Sequence, residues 1–299
     1  MPTMAQAPGR RPAVTRRAAP PRGAWDRVTS ETFLPDAFST LQGPRPAFGA
    51  APRASADVPV AEASAGGVFA WSALVSEDTL TDEIKDTKAV LAEACGKPTD
   101  FKGGGFERAR VGFSSLAVAF GVIAAYDRDV RWKKDAATAR DLFARAGFNC
   151  KVGTDQSFAE SQARLEDLEA LLDGNSPTGK PERDEDFRWS QVAGRPPLMK
   201  RLEESQAAMR PAIASQAAFN GSLDELLHAV EMIAVIGEVI RQPEFEYHDD
   251  DSYLGHAAAM RDGAAEARAA VEKKDYEAAR AAVGKIEKSC DACHGDYRS

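Results

Sequence analysis

The stretch Ile286-Glu287-Lys288-Ser289-Cys290-Asp291-Ala292-Cys293-His294 closes a 299-residue chain and reads C-x-x-C-H. This is the attachment pattern of a covalent c-type haem. Two thiols three residues apart on a helix reach the two vinyl groups of one porphyrin. The histidine that follows lies four residues from the first thiol, on the same side of the helix, where its ring can bind the iron. Working outward, Tyr276, Ala279, Val283, Ile286, Cys290, Cys293 and Tyr297 recur in alternating steps of three and four. That is the buried stripe of a bundled helix, and both cysteines continue it. A zinc half-site and an unused thiol pair are the alternatives. Zinc wants about four ligands, and the chain has no second Cys/His cluster.

The length predicts two domains, and 43% hydrophobic residues suffice for ordinary cores. A net charge of -8 argues against nucleic acid as a partner. No apolar run approaches the roughly 18 residues of a membrane span. Covalent haem attachment takes place outside the bacterial cytoplasm, so a periplasmic or otherwise exported protein is expected. Arg10, Arg11, Arg16 and Arg17 resemble a charged leader, but no apolar segment follows them and a signal peptide is not evident.

Residues 1–70 are rich in Pro, Ala, Arg and Gly and lack periodicity. They read as a disordered leader or tether, with a short apolar patch from Phe33 to Leu41. Helical patterns then run from about Ser76 to Leu91, Phe106 to Tyr126, Val130 to Cys150 and Phe158 to Leu172, a four-helix bundle over residues 71–175. Residues 176–195, with the charged run Glu182-Arg183-Asp184-Glu185-Asp186, form a linker that Phe187 and Trp189 pin to a bundle surface. Four more helices, about Pro197–Ala218, Leu223–Ile240, Tyr253–Val271 and the motif helix, fill residues 196–299. The expected fold is all-α: two tandem four-helix bundles behind a disordered N-terminal segment.

The halves also share a pattern. Leu116–Ile123 matches Ile233–Ile240 at an offset of about 117, Phe158 matches Tyr276 at about 118, and Leu91 falls near the equivalent of Met209. This suggests a duplicated four-helix unit. Leu172 and Asn175 stand where the first copy would need its cysteines, so that copy is expected to be haem-free. Cys95 and Cys150 lie in it, and their spacing leaves a disulfide and buried free thiols both open.

The ending Cys290-Asp291-Ala292-Cys293-His294-Gly295-Asp296-Tyr297-Arg298, preceded by four amphipathic helices, resembles the class II c-type cytochromes, the cytochrome c′ and cytochrome c-556 group. The resemblance covers about residues 196–299. It implies one haem c held by Cys290 and Cys293, His294 as proximal iron ligand, and Arg298 near the proximal face. Ser205-Gln206-Ala207-Ala208-Met209 stands where that family places its distal residue, which makes Met209 the candidate sixth ligand. Serine at 205 replaces the family's arginine, and Pro211 interrupts the helix beyond.

The expected function is single-electron transfer with an unidentified redox partner protein, without substrate turnover. A thioether on iron suits that role. The competing reading is a gas-binding haem protein with an open or displaceable distal site for nitric oxide or carbon monoxide. A redox enzyme is a third, for which His228 is the one nominee as distal acid–base group. The haem-free bundle is expected to act as a built-in pseudo-partner, meeting the other bundle through the first two helices of each.

Overall fold

The structure, a computed structural model, describes residues 69–181 and 187–298. The expected leader, with its Phe33–Leu41 patch, and the charged run 182–186 lie outside the described residues. Among those described, the chain is helical and contains no strand. The principal helices are α1 (Glu77–Ala94), α2 (Phe106–Ala125), α3 (Ala136–Asn149), α4 (Asp155–Leu172), α5 (Arg195–Ala212), α6 (Leu223–Val239), α7 (Asp251–Glu272) and α8 (Tyr276–Tyr297).

Their ends follow local chemistry. The Ser76 hydroxyl accepts from the Thr79 N–H at 3.2 Å and starts α1. Thr154 and Ser157 form a capping box at α4, and Asp250 and Asp275 cap α7 and α8. Helix α5 stops at Ala212, short of the expected Ala218. Pro211 has no N–H to continue the ladder, and Ser215 caps a separate short helix, Gln216–Gly221. Helix α3 starts at Ala136, later than expected, because Trp132 takes a left-handed conformation at φ 64° in the preceding turn.

The stretch Pro98–Ala125 is long and apolar enough to cross a membrane, but 72% of its most apolar 18-residue window is buried inside the protein. It is also broken where Gly104 turns at φ 128°. It is the core helix of the first half.

Helices α1 to α4 pack as a closed set, with α4 against α3, α1 and α2. In the second half α5 packs on α6, α6 on α7 and α7 on α8, while α8 makes only sparse contact with α5 and α6. The halves meet through α2 against α5 and α1 against α6, the first two long helices of each. Both belong to one compact unit.

One carboxylate ties that junction together. Glu83 of α1 is 2% exposed. It accepts from Arg201 Nε and Nη2 of α5 at 2.8 and 2.6 Å, and from the Ser115 hydroxyl of α2. His228 Nε2 of α6 lies 2.7 Å from it. Burial alone would push the Glu83 carboxyl up. The Arg201 hydrogen bonds and charge, with the His228 and Ser115 bonds, outweigh burial and hold it well below the usual carboxylate range. A second buried carboxylate, Glu231 of α6, accepts from Ser76 N and Oγ at 2.9 and 2.8 Å and pairs with Arg268 of α7 at 2.9 Å.

Each half is introduced by the same short device. Phe69-Ala70-Trp71-Ser72 and Phe187-Arg188-Trp189-Ser190 each lead into a 3₁₀ turn, Trp71–Ala73 and Trp189–Gln191. The two indoles touch at 5.2 Å between ring centroids. Gly121 makes room for Trp189 on α2, since a Cβ there would come within 2.9 Å of the indole.

Replacing Glu83 by Gln strands a buried guanidinium and is expected to destabilise the protein by about 3–5 kcal/mol in urea unfolding at neutral pH. The folded-state pKa of Glu83 is depressed below its unfolded value of about 4.3, so its stabilisation is complete above that value. It is lost as pH falls through the folded-state pKa. The wild-type midpoint should therefore fall more steeply below about pH 4 than that of E83Q.

Candidate cofactor site

Helix α8 forms because Asp275 caps it and its apolar stripe has somewhere to go. Ala279, Val283 and Ile286 are fully buried, and Cys290, Cys293 and Tyr297 continue the same face half-buried. Gly263 lets α7 close on it: a Cβ there would meet Ile286 Cγ1 at 3.2 Å. Both motif thiols are free. Cys290 Sγ lies 3.8 Å from Met260 Sδ of α7. Burial pushes the Cys290 thiol up to about 11 and raises Cys293 as well. His294 is exposed on the last turn of α8.

A tyrosine cluster closes this end. Tyr247, from the loop between α6 and α7, lies 5.7 Å from Tyr253 and 5.1 Å from Tyr297 by ring centroids, and these two lie 5.4 Å apart. The Arg195 guanidinium, at the start of α5, sits 5.0 Å from the centre of the Tyr247 ring. Tyr247 is held at φ 66° and Glu244 at φ 73°, left-handed conformations that bulky residues adopt only under such constraint. Tyr253 is 2% exposed, and its hydroxyl is buried without a hydrogen-bond partner.

Helices α5 and α8 run antiparallel. At one end Arg195 reaches the Tyr247 ring, and its charge is felt at Cys293. Midway, Arg210 pairs with Glu287 at 2.9 Å and feels the charge of Asp291 and Cys290. At the far end the Tyr276 hydroxyl donates to the Ile213 carbonyl at 3.3 Å.

The structure holds Cys290, Cys293 and His294 on the last turns of α8, and Met209, fully buried, comes one residue before the Arg210 that reaches Glu287 of that helix. Arg298 is exposed at the end of α8, and its charge is felt at Lys200 and Glu203. His228 is occupied by Glu83 at the junction of the halves. It lines a cleft of about 680 Å³ there with Arg201, Arg110 and Glu204.

The donor set suits a porphyrin. Two free thiols lie on an inward stripe, with an exposed imidazole one position later, on a helix that packs closely with α7 alone. Among the described residues no group of three or more His, Cys, Asp or Glu is arranged to hold a bare metal ion.

Residues 244–298 match the family model for cytochrome c′. This C-terminal segment is cytochrome c′-like. The match implies a haem c with its iron, and it spans the Tyr247 loop, α7 and α8. Comparison with curated proteins and with solved structures yields no match.

Met209 is fully buried, so it also packs the core. Met209→Ala is expected to cost about 2–5 kcal/mol in urea unfolding, whether or not haem has been incorporated.

Proposed function

We propose that this protein is an exported single-electron carrier whose cytochrome c′-like half holds one covalent haem c. The observation that carries the reading is the placement of Cys290 and Cys293 on the inward stripe of α8, with His294 directly after them, in a segment that matches the cytochrome c′ family model. Cys290 and Cys293 would hold the porphyrin through thioether bonds, and His294 Nε2 would offer its lone pair to the iron. The bound group supplies a one-electron couple. Met260, Tyr253 and Tyr297 shield the thioether side from water, and the Arg195 and Arg298 guanidinia add positive charge near it. Positive charge favours the reduced, more electron-rich state.

The sixth position is the point on which the function turns. Met209, next to the Arg210 that pairs with Glu287, is the thioether that would fill it, and a filled position favours electron transfer. A methionine is unbranched and adaptable, which also keeps alive the rival reading of a displaceable ligand and a gas-binding protein. The first half is read as a haem-free copy of the same unit. Support comes from the matched Trp71 and Trp189 turns, from Leu172 and Asn175 at the cysteine positions, and from contact through the first two helices of each half. In this reading the copy serves as a covalently attached partner.

The test is the absorption spectrum of the exported protein, ferric and ferrous, with and without carbon monoxide. Sharp split ferrous bands unmoved by the gas are expected, and Met209→Leu, which keeps the packing, should convert them to broad bands that shift on gas addition. Broad, gas-sensitive bands in the unaltered protein would transfer the assignment to gas binding. A chain whose mass shows no added haem would sink both.

A further inference from the structure

We propose that Cys95 and Cys150 form a structural disulfide, made while the chain folds, which keeps the first pair of cysteines apart from the haem pair. The two residues lie 55 positions apart in sequence, and the fold brings them to one place. Cys95 caps the end of α1 and Cys150 the end of α3. They are 0% and 1% exposed. Helix α4 crosses both. Its Ser161 hydroxyl lies 3.3 Å from Cys150 Sγ. The next residue, Gln162, donates its amide to the Cys95 carbonyl. Two buried cysteines held by consecutive residues of one helix are neighbours, and each feels the other side of that contact: Cys95 is shifted by Ser161 and Cys150.

The chemistry is thiol–disulfide exchange. A thiolate of one cysteine attacks an external disulfide, such as oxidised glutathione or a protein thiol oxidase, and releases one thiol of that reagent. The second cysteine then displaces the remaining thiol. Two S–H bonds are lost, one S–S bond forms, and the external disulfide leaves as two thiols. Timing follows from burial. Burial pushes the Cys95 thiol up to about 12, with the neighbouring Cys150 adding to the shift, and burial raises Cys150 too. At neutral pH the folded protein therefore presents almost no thiolate there, so exchange in the folded state is slow even though Cys150 lines the cleft at the junction. The bond forms most readily before the first half closes.

Four cysteines permit three pairings. Cys290 and Cys293 lie in the other half, half-buried against α7. Joining Cys95 to Cys150 early leaves the C-x-x-C pair without a competing thiol. The inference takes its oxidising surroundings from the export reading, so the test is done in vitro and is independent of haem.

The reduced, haem-free full chain, unfolded in denaturant, is refolded with oxidised and reduced glutathione. It is then unfolded again, alkylated and mapped by peptide mass spectrometry. The expected product has a linked Cys95–Cys150 peptide, a mass lower by about 2 Da, and a thermal midpoint higher by several degrees than the reduced form. Chain folded reduced and only then exposed to the oxidant should keep both thiols for hours. Alkylated Cys95 and Cys150 after oxidative refolding, or a Cys95→Ser variant with the same midpoint as the oxidised wild type, would overturn the proposal. The absence of haem from exported protein, with the linked peptide present, would count against the functional reading alone.

Discussion

A single buried carboxylate holds the two halves of this protein in register. Glu83 comes from the first helix of the first half, and its partners come from α2, α5 and α6. Four helices, two from each half, therefore converge on two oxygen atoms. A carboxylate 2% exposed is tolerable only when its lone pairs are met and its charge balanced. Meeting that condition requires α5 to lie where Arg201 can reach, which sets the position of α5 relative to α1. That position in turn lets Arg210 meet Glu287 of α8. The site at one end of the molecule thus depends on a polar contact at the junction.

The two halves solve the same packing problem differently. In the first, α4 closes against three neighbours, and its positions Leu172 and Asn175 carry no reactive chemistry. In the second, α8 leans on α7 through Gly263 and stands away from α5 and α6. The inward stripe of α8 consequently ends in side chains only half-buried, namely Cys290, Cys293 and Tyr297. Apolar side chains at those places would reward closer packing.

Much of the architecture was legible along the chain. The three-and-four spacing through Leu165, Leu168 and Leu172, or Val283, Ile286 and Cys290, is the signature of a helix with one covered face. Proline and glycine clusters marked the breaks. The errors fell where a local signal competes with another: Pro211 ended α5 six residues early, and the left-handed Trp132 delayed α3. The matched aromatic turns at Trp71 and Trp189 went unread because neither is part of a periodic run. Their meaning appears only when the two rings touch.

The sequence by itself determined the helical class, the stripe on α8 and the chemistry of Cys290, Cys293 and His294, because all three are properties of neighbours along one helix, set by its 3.6-residue turn. Only the tertiary structure decided what His228 does, which residues meet Glu83 and that the ends of α1 and α3 come together under α4. Each of those depends on the register and depth at which separate helices pack. That register is set by contacts such as Arg201 with Glu83 and Tyr276 with Ile213, between residues far apart in the chain, and no local pattern encodes it.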